Sequence, residues 1–365
     1  MKKVKYYSLD KIKTEKAQYN IIIGERSTGK TYAVLYEGLK NYIKTGKQMA
    51  VIRRYQDDLR GKRGYVMFDA LVSNGTVSSL TEGEFNSIYF YAGKWYLSYI
   101  DDDKKRTTDE TPFAYAFAIS SMEHDKSTSY PNIQTILFDE FISRGAYLTD
   151  EFILFMNVLS TIIRDRNDVI IYMCGNTVSK YCPYFSEMGL THIKDMAPGK
   201  IDVYSYGQSK LKIAVEFAVT NGSSKPSDVY FAFDNPRLSM ITGNGTIWEI
   251  AVYPHCPIKF KPKDIIFTFL IKFSGDILQG DIIGIDNISF LFIHRKTTEI
   301  QNDNKDIIYS PEFDTRPNWR RKITNPTDKI DESIYRFFRS DNVYYQDNEI
   351  GEIMRNYIMW CKTNK

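Results

Sequence analysis

Apolar residues in the first half of the chain fall into short unbroken runs, separated by stretches with helical spacing. Tyr19–Ile23, Gln48–Arg53, Ala114–Ile119, Gln134–Phe138 and Val169–Cys174 read as strands buried on both faces. Between them, Thr31–Lys44 carries Ala33, Leu35, Leu39 and Ile43 at helical intervals, and Glu151–Arg164 repeats that pattern. Asn86–Ile100 predicts a hairpin turning at Ala92-Gly93-Lys94. Strands alternating with helices predict an α/β fold with a mostly parallel sheet and flanking helices.

From about Met196 the texture changes. Pro198, Gly199, the Asn221-Gly222-Ser223-Ser224 run and Pro226 are turn and linker signals, so a linker is expected over 196–226. Beyond it the pattern is strand-rich: Val229–Phe233, Ile247–Val252, then Ile265–Phe273, Asp281–Ile285 and Ile288–Ile293, with a helical stretch from Ser333 onward. The last three strands, joined by short Ser-Gly-Asp and Asp-Asn turns, read as an antiparallel meander. Two domains are therefore expected, 1–195 and a smaller α+β domain over 227–365, as the length of 365 residues suggests.

Composition narrows the class. With 43% hydrophobic and 25% charged residues, the chain is expected to be an ordinary soluble globular protein, not a disordered, collagen-like or coiled-coil one. The net charge of +3 does not announce a nucleic-acid binder, although residues 1–63 carry sixteen Lys/Arg against six Asp/Glu. Four scattered cysteines and four scattered histidines show neither zinc spacing nor a disulfide framework, as suits a reducing compartment. No apolar run approaches the roughly 20 residues of a membrane span, and the basic N-terminus lacks the apolar core of a secretion signal. An intracellular protein that is not secreted and has no membrane partner is expected.

The chemistry is concentrated in Gly24-Glu25-Arg26-Ser27-Thr28-Gly29-Lys30-Thr31, a full GxxxxGK[ST] match between a predicted strand and a predicted helix. Such a loop wraps phosphates with its backbone amides, helped by the helix N-terminus. Lys30 should reach the β- and γ-phosphates of ATP, and Thr31 should offer its hydroxyl to Mg²⁺. About 110 residues on, the strand over Gln134–Phe138 ends in Asp139-Glu140. Asp139 is the candidate Mg²⁺ partner and Glu140 the candidate base that activates water, which points to ATPases with a catalytic glutamate (ASCE type). Asn176, at the tip of the following strand, is a candidate γ-phosphate sensor. Arg164 and Arg166, at the end of the preceding helix, are candidates for an arginine finger supplied by a neighbouring subunit, with Arg144 as an alternative. Cations at a helix C-terminus also have a simpler explanation in the helix dipole.

The GERSTGKT loop, IRRY (Ile52–Tyr55), the Glu123–Ile142 block, IIRDR and CGNTVSKYCPYF together resemble the genome-packaging ATPases of small short-tailed, protein-primed bacteriophages of the Bacillus-phage type. The resemblance covers about residues 15–190. It implies a homo-oligomeric ring, thought pentameric, that docks at the portal vertex of a procapsid in the host cytoplasm and drives double-stranded DNA inward. It also implies a portal partner and possibly a packaging RNA. Lys30, Thr31, Asp139 and Glu140 match the family's nucleotide and catalytic positions, Arg164 falls where the family places its trans-acting arginine, and Arg53 lies in the basic strand after the loop's helix. The C-terminal domains of the family are described as RNase H-like without nuclease chemistry. The strand Ile265–Phe273 carries no acid, and Asp234, Asp281 and Asp286 read as turn residues. Candidate DNA contacts are Lys126, Arg60, Lys62, Arg63, Lys104 and Lys105, with a second basic group, Arg316, Arg320, Arg321 and Lys322, around Trp319. Two other readings stay open: another P-loop translocase, either helicase or DNA-segregation ATPase, and a nucleotide switch without turnover.

Overall fold

The computed structural model describes residues 6–124, 128–219, 251–296 and 298–363. The chain divides into two compact units, Met1–Arg144 with Asp150–Trp248, and Gly145–Thr149 with Glu249–Lys365.

Among the described residues the first unit contains one ten-stranded sheet. Its strands are β1 (Tyr19–Gly24), β2 (Gln48–Arg53), β3 (Ser87–Tyr91), β4 (Lys94–Ile100), β5 (Arg106–Thr108), β6 (Ala114–Ala118), β7 (Ile133–Asp139), β8 (Ile170–Asn176), β9 (Ile201–Ser205) and β10 (Lys212–Ala218). The order is β3-β4-β6-β2-β7-β8-β1-β10-β9, with β5 paired to β4. The run from β6 to β10 is parallel throughout, and antiparallel strands occupy the two edges. The expected hairpin is present as β3 and β4.

Alternation along the central strands builds two cores. Ile22, Val51, Leu137 and Tyr172 face one side and pack with Val34, Leu35 and Leu39 of α1 (Lys30–Thr45). Phe138 faces the other side and meets Phe155 of α2 (Glu151–Ile163) and Tyr184, with ring centroids 4.9 and 5.5 Å apart. This is the three-layer solution that a parallel sheet buried on both faces requires.

The stretch 196–226, expected as a linker, instead adds β9 and β10 to the sheet over its described part. Glu216 interrupts the apolar run of β10, and turn residues flank it. The carboxylate is buried there because it accepts a 2.7 Å hydrogen bond from the Tyr7 hydroxyl. The expected strand Val229–Phe233 lies outside the described residues, as do Asp234 and residues 247–250; Ala251 and Val252 have no strand pairing.

In the second unit β11 (Ile265–Phe273), β12 (Asp276–Ile285) and β13 (Ile288–Arg295) form the expected meander. β14 (Ile308–Tyr309) lies parallel to β11, β15 (Trp319–Arg320) parallel to β14, and β16 (Val343–Tyr345) parallel to β13, giving the order β15-β14-β11-β12-β13-β16. The helical stretch expected from Ser333 is two helices, α3 (Lys329–Arg339) and α4 (Asn348–Thr363), with β16 between them. Asp286 occupies a turn, with φ of 52°. Asp281 does not: it is buried in mid-strand, accepting hydrogen bonds from Thr268 (2.7 Å), Gln279 and His294 (3.0 Å). No helix among the described residues is long and apolar enough to cross a membrane.

Asp331, buried on α3, ties this unit together. It accepts from Tyr309, Arg320, the Thr327 amide (2.9 Å) and the Thr327 hydroxyl (2.7 Å). Burial pushes its carboxyl up, but the hydrogen bonds from Tyr309, Thr327 and Arg320 outweigh it and hold the group below the ordinary carboxylate value. A depressed pKa contributes stability above the unfolded value of about 4, and that stability is lost as pH falls through the folded value. Protection factors of the β14 amides, which correct for the intrinsic slowing of exchange in acid, should therefore fall on acidification below about pH 4. Asp331→Asn should show faster exchange already at neutral pH and a flatter response to acid.

Candidate nucleotide site

The carboxyl ends of β1, β8, β7 and β2 lie side by side, and Gly24, Asn176 and Asp139 are the last residues of the first three. Gly24 pairs with Asn176, Asp139 pairs with Cys174, and Ile52 pairs with Phe138. Ligands of open parallel sheets bind at this edge. A cavity of about 590 Å³ opens there, within the range of small-molecule sites. Its lining includes residues 26–31, Asp139, Glu140, Arg144 and Asn176.

The loop from Gly24 to Lys30 is held close against its neighbours. A Cβ on Gly24 would stand 2.7 Å from the Ala218 carbonyl oxygen of β10, so the approach of β1 to β10 requires glycine at that point. Gly29 has φ of 92° and Ser27 φ of 58°, and the Thr28 hydroxyl donates to the Glu25 carbonyl at 3.1 Å. The Thr177 amide donates to the Gly24 carbonyl at 3.2 Å, which locks the Asn176 turn onto the loop.

Lys30 opens α1 and is only 6% exposed. Its ammonium donates to the Gly24 carbonyl (3.2 Å), the Glu25 carbonyl, the Thr28 hydroxyl (3.3 Å) and Asn176 Oδ1 (3.3 Å). Burial lowers its pKa to about 8, against the opposing pull of Asp139 and Glu25. The Thr31 hydroxyl donates to Asp139 Oδ1 at 2.7 Å. Burial pushes the Asp139 carboxyl up, with Arg53 and the Thr31 hydroxyl acting against it.

Arg53 forks the acidic pair. One terminal nitrogen reaches Asp139 Oδ2 and the other Glu140 Oε2, each at 2.6 Å. Charge-assisted bonds of this length fix both carboxylates in one geometry. Glu140 has φ of 58°, rare for a residue with a long side chain, and its side chain is 61% exposed. Arg53 was legible only as a member of a basic strand, because nothing in its local sequence shows that its strand ends beside Asp139.

A buried ammonium, a hydroxyl paired to a carboxylate and an adjacent second carboxylate, all facing one cavity, suit a nucleoside triphosphate with Mg²⁺. Lys30 and the loop would hold the phosphates, and Thr31 and Asp139 the ion.

The two finger candidates separate. Arg166 is engaged by its own unit: it donates to the carbonyls of Ile133 (2.6 Å), Ile162 (2.9 Å), Pro131 (3.1 Å) and Tyr130 (3.2 Å). Arg164 is exposed, outside the lining of the cavity, and donates to the Thr128 carbonyl at 3.2 Å. Its φ of 50° with ψ of −123° lies outside the ordinary regions for a side-chain-bearing residue.

Of the candidate DNA contacts, Arg60, Lys62, Arg63, Lys104 and Lys105 are exposed. Arg63 pairs with Asp58 at 3.2 Å, and Lys126 lies outside the described residues. Of the basic group around Trp319, two arginines are ion-paired. Arg316 pairs with Asp314 (2.7 Å) and Asp303 (2.9 Å), and Arg320 with Asp328 (2.7 Å) and Asp331.

A glycine-rich loop between a buried strand and a helix, facing an acid at the end of a parallel strand, defines a P-loop nucleotide-binding fold. The model of the podovirus DNA encapsidation protein (Gp16) family matches residues 1–217, and the chain belongs to that family. It is 25% identical over 321 residues to the DNA packaging protein of Bacillus phage phi29, covering 84% of this chain and 87% of that one. It is 30% identical over 174 residues to the DNA packaging protein of Bacillus phage B103, covering 47% and 48%. It shares its fold with the Phi-28 gp11 DNA packaging motor (TM-score 0.53, 18% identity, 99% of each chain). The same holds for the bacteriophage Phi-29 viral genome packaging motor assembly (TM-score 0.53, 20% identity, 98% of this chain and 99% of that one).

Arg166→Ala strands four carbonyls at the edge of β7 and α2. It should lower unfolding stability by about 2–3 kcal/mol, read from denaturant melts. Nucleotide affinity, determined on the far end of β7, should stay within about twofold.

Proposed function

We infer that this protein is an ATP-hydrolysing motor that translocates double-stranded DNA into a viral procapsid. The observation that carries the reading is the convergence of Lys30, Thr31, Asp139, Glu140 and Asn176 on one cavity, in a chain of the DNA encapsidation family. The ASCE assignment is supported by the order β10-β1-β8-β7-β2, in which one strand separates the phosphate-loop strand from the acid-bearing strand.

In this mechanism Lys30 binds the phosphates and the loop orients them. Mg²⁺ held by Thr31 and Asp139 would neutralise phosphate charge. Glu140 takes the proton of the attacking water at its carboxylate. Arg53 restrains that carboxylate, so the base must exchange part of its pairing with Arg53 for the water. Asn176 Oδ1, bonded to Lys30, reports on the phosphate end through the lysine. Arg164 of a neighbouring subunit completes the charge stabilisation; its exposure, its position outside its own cavity and its strained backbone support the role.

The two-domain reading is kept, with the ATPase domain extended past residue 195 to include β9 and β10. The order β13-β12-β11-β14-β15, a meander followed by two parallel strands, supports an RNase H-like second domain. β11 (IIFTFLIKF) carries no acid, so no nuclease activity is proposed. The assembly is a ring, taken as a pentamer, docked on the portal in the host cytoplasm, with a packaging RNA as a further partner. Arg60, Lys62, Arg63, Lys104 and Lys105 are the proposed backbone contacts to duplex DNA.

Steady-state ATP hydrolysis with duplex or single-stranded DNA tests the reading. Duplex DNA should stimulate turnover, and Glu140→Gln should abolish it while still binding ATP. Stimulation by single strands alone would favour a helicase, and no turnover in assembled rings would favour a switch. Arg164→Ala should reduce turnover by about 10³-fold or more in assembled rings. Mixing it with Glu140→Gln should restore part of the activity, because the second variant lends its arginine to the first; no restoration would place the finger elsewhere.

A further inference from the structure

Arg53 is the last residue of β2 and Arg54 follows it at a bend. Arg53 holds the Glu140 carboxylate. Arg54, 7% exposed, turns the other way and takes hold of the same residue's main chain. Its Nη2 donates to the Phe141 carbonyl at 2.7 Å and its Nη1 to the Glu140 carbonyl at 3.4 Å. Its Nε donates to Glu151 Oε2 at 2.7 Å. Glu151, 2% exposed, accepts on its other oxygen from the Tyr184 hydroxyl at 2.8 Å. Burial and the nearby Glu151 hold the Tyr184 phenol well above its ordinary pKa, so it remains a donor.

This network lies beside an aromatic core, where Phe138, Phe155 and Tyr184 pack at ring distances of 4.9–5.6 Å. A buried ion pair is weak evidence for stability, since well-packed apolar residues of similar volume commonly serve as well. Its role here is therefore sought beyond stability, and the backbone of Glu140 supplies one. That residue adopts a left-handed conformation that a glutamate does not choose unaided. It is pinned from the far side by the Phe141 amide, which donates to the Cys174 carbonyl at 3.3 Å.

We propose that Arg54, oriented by Glu151 and Tyr184, is a positioning residue that fixes the main chain at Glu140–Phe141 and so aims the catalytic carboxylate. Arg54 also borders the cavity, but its three guanidinium nitrogens all have partners within the protein. Its effect is therefore on the chemical step and not on nucleotide binding. The inference rests on the reading of Glu140 as the base.

Two variants of the full chain test it, by ATP turnover, equilibrium titration with ADP and thermal melting. Arg54→Lys keeps a cation facing Glu151 but cannot fork two carbonyls. It should lower kcat by about 10- to 100-fold, the usual cost of a misplacement near 1 Å. KM for ATP and affinity for ADP should stay within about threefold, since binding groups are untouched. Tyr184→Phe removes one hydroxyl and should lower kcat several-fold with the same unchanged binding. It carries the test alone if Arg54→Lys does not fold. A folded Arg54→Lys with wild-type kcat overturns the proposal. So does a kcat loss matched by lost ADP affinity, which would make Arg54 a phosphate contact, or one that disappears when turnover is measured well below the variant's melting temperature, which would make it merely structural. Absence of turnover in assembled wild-type rings would instead remove the ATPase reading itself.

Discussion

An ammonium group almost withdrawn from water must be answered by oxygen atoms, and the way Lys30 is answered organises the first unit. Its partners are two carbonyls and a hydroxyl of the loop that precedes it and one amide oxygen from β8. For these to converge, β1 must lie beside β8, Gly24 must pair with Asn176, and β10 must come so close on the other side that only glycine fits. The remaining cost of burying the charge appears as the lowered lysine pKa. Asp139 mirrors this on the acidic side: burial raises its pKa while Arg53 and Thr31 restrain it.

What was legible in the sequence was what is local. The loop and its helix, the acid pair after an apolar run and the β3–β4 hairpin each declare themselves within about ten residues, and β2 and β11 match their predicted bounds. What was illegible depends on partners distant in the chain. β10 fell inside the expected linker because turn residues flank it on both sides, and the tyrosine that makes its Glu216 acceptable in a buried strand lies 209 residues away. Arg164 and Arg166 sit two positions apart with the same local signal, yet one is bound by four carbonyls and the other is exposed. Arg54, Glu151 and Tyr184 are unremarkable singly, and only the fold gives them a common purpose.

Charge in the second unit teaches the same lesson with the opposite sign. Arg316, Arg320, Arg321 and Lys322 around Trp319 read as a basic surface in sequence. The folded chain brings Asp303, Asp314, Asp328 and Asp331 to the first two, so the positive charge of those two is paired internally. Asp281 shows why an isolated acid cannot be assigned to a turn by its neighbours alone. It is buried in mid-strand because Thr268, Gln279 and His294, from three strands, all donate to it.

Neither unit is an uninterrupted length of chain. Gly145–Thr149 belongs to the second unit although it lies only five to nine residues after Glu140, and the Thr149 hydroxyl donates to the Thr363 carbonyl at 2.6 Å. A break anywhere between the sheets therefore severs the second unit as well. An amino-terminal fragment would carry five residues that have lost their neighbours, and a carboxy-terminal fragment would lack a piece of its own body. A cut that kept every residue with its own unit would have to fall on both sides of Gly145–Thr149 as well as near residue 248.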